Sequence, residues 1–238
     1  MIEDAYYLEL RKKKANKIIT ILSEFRRIKL DFISHLCLDL GSNTGVITAE
    51  LSECCDHIIG IDLTYELVKS GKVNNGNKTV SFMVGDGLSL PFKSNTFDLV
   101  ICAQVYEHTK SPTQLFKEIY RVLRPGAICF FSGPNRLWFY EYHYRWYFLH
   151  WLPKKILDIY LWTSYGKNFD LNLLNYWQIK KMCSMFEVVD FSLYVAYDLS
   201  DVMQEEMMRK FVTALVPRNL AQYLPFLLPN FNWVLVKR

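Results

Sequence analysis

Between residues 35 and 134 five short apolar runs, each ended by a turn or small residue, alternate with amphipathic stretches. The runs are His35-Leu36-Cys37-Leu38-Asp39-Leu40, His57-Ile58-Ile59-Gly60-Ile61, Val80-Ser81-Phe82-Met83-Val84, Phe97-Asp98-Leu99-Val100-Ile101-Cys102 and Ala127-Ile128-Cys129-Phe130-Phe131. Continuous apolar runs of this length suit strands covered on both faces. Helices are expected from Gly41 through Glu53, from about Thr64, and over 112–123. Strands joined by helical crossovers become parallel neighbours, so the pattern predicts an α/β, doubly wound sheet. Its ligand-binding crevice belongs at the carboxyl ends of the strands.

The rest of the 238 residues is read around that sheet. Residues 1–30 are expected to be helical, with Leu8, Ile18, Ile19, Ile21, Leu22 and Phe25 on one face and Arg11, Lys12, Lys13, Lys14 and Lys17 on a solvated one. Beyond Pro134 the pattern breaks. Residues 135–170 are dense in aromatics, and all six tryptophans lie at 138 or later, as expected of an insertion placed after the fifth strand. A helix at about 174–184 and strands near 186–196 and 231–237 would complete the sheet. At 51% hydrophobic and 22% charged the chain is too apolar to be disordered. A net charge of +4 names no nucleic-acid partner by itself. The six cysteines include no C-x-x-C pair, pointing to buried thiols, a reducing compartment and no structural zinc. With no signal-peptide core and no run of about 18 apolar residues, a cytoplasmic protein, at most peripheral to a membrane, is expected.

Three features carry chemistry. Leu38-Asp39-Leu40-Gly41-Ser42-Asn43-Thr44-Gly45 runs a buried strand into a small-residue turn and a helix start, where a ligand can approach the backbone and unpaired N–H groups face an anion. A dinucleotide fingerprint would need glycine at 43 and 46, where Asn43 and Val46 stand. Asp62 ends the second run at the spacing of a ribose-binding carboxylate, and Gly85-Asp86-Gly87 ends the third. One ligand with an anionic end, a ribose and a base would meet all three.

The ordered set resembles the class I S-adenosylmethionine-dependent methyltransferases, in particular the ubiquinone/menaquinone-type small-molecule branch. It comprises Leu38–Gly45, Gly60-Ile61-Asp62, Gly85-Asp86-Gly87-Leu88-Ser89-Leu90-Pro91-Phe92, Phe97-Asp98-Leu99-Val100, Tyr106-Glu107-His108 and Arg121-Val122-Leu123-Arg124-Pro125-Gly126-Ala127. The resemblance is strong over 36–134. It implies S-adenosyl-L-methionine as cofactor, with Asp39, Gly41, Ser42, Asn43 and Gly45 cradling the methionyl part and Asp62 with the adjoining Leu63 at the ribose. It assigns Asp86, Gly87 and Leu88 to the adenine, and Ala103 and Gln104 to the border of the reactive methyl. Asn43 replaces the family's usual glycine but tolerates positive φ. Glu107-His108 resembles a pair that serves a metal in some relatives; Gln104 stands where a second acidic ligand would be wanted, and no metal is expected.

The implied fold is a Rossmann-like seven-stranded sheet, mostly parallel with the last strand antiparallel, and an aromatic helical lid inserted after strand five. Within one domain spanning 1–238, residues 1–33 would form a helical cap, 34–134 the cofactor-binding core, 135–173 an acceptor lid and 174–238 the completion of the sheet. His143 is the first candidate for an acceptor-side base and His108 the second. His35, His57 and Asp98 are read as structural. The aromatic insertion suits the wall of a small-molecule or lipid-linked acceptor site, a small core of its own, or an interfacial surface, since Arg145, Lys154 and Lys155 are interleaved with Trp and Tyr. Residues 135–153 also resemble methylases of envelope saccharides and lipids, favouring oxygen on a glycan or lipid. A nucleic-acid methyltransferase and a non-catalytic cofactor-binding scaffold are the alternatives. Against the first, Cys102-Ala103-Gln104-Val105-Tyr106 lacks the Asn-Pro-Pro-aromatic motif of base-amine methylases.

Overall fold

A strand whose residues alternate between two apolar faces needs cover on both sides, and the computed structural model provides it. Residues 2–28, 35–74, 78–141, 146–166, 171–199 and 217–238 are described. The elements run α1 (Ile2–Ile28), β1 (Leu36–Leu40), α2 (Val46–Leu51), β2 (His57–Asp62), α3 (Tyr65–Asn74), β3 (Val80–Val84), β4 (Phe97–Ala103), α4 (Pro112–Val122) and β5 (Leu123–Pro134). They continue with β6 (Tyr140–Glu141), β7 (Trp146–Tyr147), α5 (Lys154–Tyr165), α6 (Tyr176–Met182), β8 (Phe186–Asp190), α7 (Ser192–Tyr197), α8 (Arg218–Ala221) and β9 (Asn230–Lys237).

Seven strands form one sheet in the order β3-β2-β1-β4-β5-β9-β8. Only β9 is reversed, pairing antiparallel with both β5 and β8. Leu38, Leu40, Val100, Cys102 and Phe131 point to one face, against Phe116 and Ile119 of α4 and Ile179 of α6. Cys37, Leu99, Ile101, Ile128 and Phe130 point to the other, against Ile18, Ile21, Leu22 and Phe25 of α1. The chain leaves β1 toward β2 and β3, then returns to β4 on β1's other side. That reversal opens a crevice beyond the carboxyl ends of β1 and β4.

At the opposite rim, Asp98 accepts the N–H groups of His35 (3.2 Å) and Leu36 (2.9 Å) and pairs with Arg124 at 2.6 Å. His35 meets Asp56 at 2.6 Å and His57 meets Ser81 at 3.1 Å. These three residues therefore hold strand starts together, as their positions in the runs imply. All six cysteines are free thiols, and Cys37, Cys102, Cys129 and Cys183 are buried.

The structure corrects several boundaries. The strand expected near 186–196 stops at Asp190, whose Oδ1 takes the N–H of Ser192 (2.8 Å) as α7 starts instead. The fifth strand begins at Leu123, and its register with β4 shifts between Phe97 and Leu99 as Arg124-Pro125-Gly126 bulge out. Asn175 and Gln178 form a capping box that delays the following helix to Tyr176. Among its described residues the insertion is helical only from Leu149 onward, since Tyr140-Glu141 and Trp146-Tyr147 pair as short antiparallel strands. Lys17 is half-buried rather than fully solvated; burial, aided by the charge of Lys14, pushes its ammonium down to about 8.

The insertion has a small core of its own, made by Leu149, Leu157, Leu161 and Leu173. Phe131, by contrast, is fully buried in the main core against Tyr106, Phe116, Phe231 and Trp233. Phe131→Ala is expected to cost about 3–5 kcal/mol of global stability in urea denaturation. Leu161→Ala is expected instead to accelerate amide exchange within 149–166 while the exchange of β1 and β4 stays unchanged.

Candidate active site

The site is built from strand ends. After Asp39 and Leu40 the chain must turn sharply out of β1 beside the loop that follows β4, and Gly41 does so at φ +71; a Cβ there would stand 2.9 Å from Val105 Cγ2. Asn43 takes φ +50, and its Oδ1 accepts the Thr44 N–H at 2.8 Å, so asparagine sustains the left-handed turn that its small polar side chain permits. Gly45, at φ +77, caps α2 without a side-chain hydrogen bond. On the far side of the crevice Gln104 takes φ +60 as the chain leaves β4.

The turn is fastened to β2. The N–H groups of Gly41 and Ser42 reach Ile61 O at 2.8 and 3.1 Å. Asp62 accepts the Asn43 N–H on Oδ2 and the Thr64 N–H on Oδ1, each at 2.9 Å. The Gly85 N–H then reaches Asp62 O at 3.0 Å, joining the third strand end. Asp86 Oδ1 accepts the Leu88 N–H at 2.8 Å, so that N–H is already engaged by its own loop. Ser42 is buried and its Oγ finds no hydrogen-bond partner among the described residues, leaving one polar atom at the turn for a bound group.

Asp39, Gly41, Ser42, Asn43, Gly45, Asp62, Leu63, Asp86, Gly87, Leu88, Ala103 and Gln104 thus all lie on the rim formed by the carboxyl ends of β1, β2, β3 and β4. Leu63 is strongly exposed and Asp39 is buried beneath the turn. Burial pushes the Asp39 carboxyl up to about 7, the Thr48 hydroxyl at 2.6 Å draws it down, and the charge of Asp62 raises it. Three carboxyl groups on one rim suit a ligand carrying cationic and hydroxyl groups and oppose a pyrophosphate, as Asn43 and Val46 in place of the fingerprint's second and third glycines also imply.

His108 is exposed in the tight turn Tyr106–His108 that follows β4. His143 lies outside the described residues. Sequence reasoning did not single out Thr48, Tyr106 or Asn135. The buried Tyr106 donates its hydroxyl hydrogen to Pro134 O and accepts the Leu174 N–H at 3.4 Å, tying β4, β5 and the end of the insertion together. Burial raises its phenol well above the ordinary range, so it stays a neutral donor. Asn135 gives its amide to Phe226 O (2.7 Å) and Leu228 O (2.9 Å), fixing the exit from β5 against the chain before β9. The signal for Tyr106 was its place inside the Tyr106-Glu107-His108 motif. Asn135 carries no local signal, because its partners are about 90 residues away.

Comparisons with known proteins agree with this geometry. Residues 38–131 match the methyltransferase domain family. Among curated relatives, the chain is 37% identical over 100 residues to a demethylmenaquinone methyltransferase of Corynebacterium kroppenstedtii, covering 41% of this chain and 42% of that protein. It is 31% identical over 116 residues to malonyl-[acyl-carrier protein] O-methyltransferase 1 of Coxiella burnetii, covering 46% and 39%. The matched region thus spans less than half the length of either relative. A solved S-adenosylmethionine-dependent methyltransferase from Mesorhizobium loti superposes with a TM-score of 0.57 at 14% identity, covering 86% of this chain and 91% of that one, a likeness of fold alone. Strand order and the acidic glycine-turn rim thus agree with the match of residues 38–131 to the methyltransferase domain family, and in this part the chain is similar to S-adenosylmethionine-dependent methyltransferases.

Proposed function

We propose that the chain transfers a methyl group from S-adenosylmethionine to an oxygen of a small acceptor, of glycan or lipid-linked kind. The observation that carries the reading is the convergence of Asp39, the Gly41–Gly45 turn, Asp62 and Asp86 on one rim beside the left-handed exit of β4 at Gln104. The relatives' names include quinone-pathway and O-methyl transfer, which supports a small-molecule acceptor over a nucleic acid.

Bound cofactor supplies an electrophilic methyl on a sulfonium; the protein's work is to hold, align and keep dry. Asp39 faces the cationic methionyl end from below the turn. Asp62 has each oxygen already held by one backbone N–H, which fixes its carboxylate and leaves a further lone pair on each oxygen for the ribose hydroxyls. Asp86, anchored through Oδ1, would hold the adenine amino group with its remaining acceptor capacity. Ala103 and Gln104 would border the methyl, and the described parts of the insertion, 135–141 and 146–166, would cover the acceptor side. Alignment of this kind accounts for roughly 7–11 kcal/mol of barrier lowering. His143 and His108 are the two imidazoles offered to take the acceptor's proton.

The reading is tested by S-adenosylhomocysteine release against quinol, isoprenoid, glycolipid and nucleic-acid pools, with turnover expected on one of the first three; turnover on nucleic acid alone would overturn it. Replacing the responsible histidine by Ala should lower kcat about 10²–10⁴-fold with cofactor affinity unchanged. Asp62→Ala should weaken cofactor binding in calorimetry by roughly 10- to 100-fold, and also loosen the turn, since two backbone N–H groups lose their acceptor. Because the free Asp39 carboxyl titrates at about 7 and a cationic ligand favours its ionised form, binding should expel a proton below that pH. Affinity should therefore rise from pH 6 to pH 8 in wild type and lose that slope in Asp39→Asn, read by calorimetry at each pH.

A further inference from the structure

We propose that the exposed face of α5, with the turn before it, seats the protein on an anionic lipid surface. The proposal deepens the acceptor reading above and rests on it for the direction from which the acceptor arrives.

The helix carries apolar residues on two sides but buries only one. Leu157 and Leu161, spaced by one turn, enter the insertion's small core. On the other side Ile156, Ile159 and Trp162 follow at intervals of three and are 52%, 67% and 61% exposed. Trp151, just before the helix, is 57% exposed, and Leu152 adds to the same surface. Phe148 holds a left-handed φ of +58, costly for a bulky residue, with its half-exposed ring edge-on to Trp151 at 5.0 Å. A helix apolar all round is normally covered all round. Here nothing among the described residues covers the second face.

Charge decides what fits. Lys155 is exposed and lies four residues before Ile159 and seven before Trp162, inside the apolar face rather than at its edge. Lysine is depleted at the centre of protein interfaces, which argues against a second chain as the occupant. Its aliphatic stem can instead lie along apolar neighbours while the ammonium reaches a phosphate, and tryptophan favours that same interfacial layer. Among the described residues no helix is long and apolar enough to cross a membrane, so the contact is one of lying on the surface.

The placement is productive for the candidate site. The insertion leaves the carboxyl end of β5, and its returning segment is tied to the turn after β4 by Asn172 N–H to Glu107 O at 2.7 Å and to the exit from β5 by Arg136 N–H to Leu174 O at 3.1 Å. A lipid-linked acceptor drawn from the layer would enter beside that turn.

The test is co-sedimentation of the full chain with phosphatidylcholine vesicles, with and without about one-third phosphatidylglycerol, at about 50 mM and about 500 mM salt. Wild type should partition at least about tenfold more strongly onto the anionic vesicles, with the preference shrinking at high salt. Ile159→Glu and Trp162→Glu should each lower partitioning about tenfold, and Lys155→Glu should remove the anionic preference, all with unchanged circular dichroism and cofactor affinity. Absence of wild-type partitioning at low salt, or equal partitioning of Ile159→Glu, overturns the proposal. So does a wild-type dimer in sedimentation equilibrium that Ile159→Glu dissolves and vesicles do not bind. Neither acceptor nor methyl donor is needed in these tubes, so failure of the acceptor assays leaves this result standing, and the reverse holds equally.

Discussion

Two adjacent parallel strands must release the chain in opposite directions for a crevice to open between them, and here both exits depend on left-handed backbone. Gly41, Asn43 and Gly45 turn the chain out of β1, and Gln104 turns it out of β4. The two loops touch, since a Cβ at position 41 would meet Val105. Asp62 then holds the turn in place by accepting N–H groups from both Asn43 and Thr64. Without these conformations the strand ends would be capped by packed side chains. With them, backbone and carboxylates line the rim, the only chemistry a polar cofactor can use at the edge of an apolar sheet.

The cost of this arrangement falls on Asp39. A carboxyl buried beneath the turn is raised to about 7 and is held by one hydroxyl, from Thr48. A cationic ligand above it would offset that cost, which makes the site more stable filled than empty. Tyr106 does the complementary task at the ends of β4 and β5: as a neutral, buried donor it joins them to the returning insertion. The strand-end rim and the insertion are therefore mechanically linked, through this side chain and through the Asn172 N–H on Glu107 O.

Much of the sheet could be read from residue order. Continuous apolar runs with period-two faces located all five leading strands within a few residues, and the rim residues followed because strand ends in such a sheet share one edge. The insertion was less legible. Its aromatics are compatible with wall, core or surface, and the structure divides them: the turns and α5 bury Leu149, Leu157, Leu161 and Leu173 while leaving Ile159 and Trp162 outside. A helix with apolar residues all round gives no sign of which side faces inward, since that depends on what packs beside it.

The chain alone determined the identity of its strands, the acidic and glycine positions at their carboxyl ends, and hence the class of ligand they meet, because each of these follows from periodicity and local backbone preference. Tertiary structure decided where β8 ends, how Asn135 locks the exit of β5 to Phe226 and Leu228, and that Lys17 is half-buried rather than fully solvated. Those outcomes rest on partners brought together from distant parts of the sequence and on burial, neither of which a local pattern encodes.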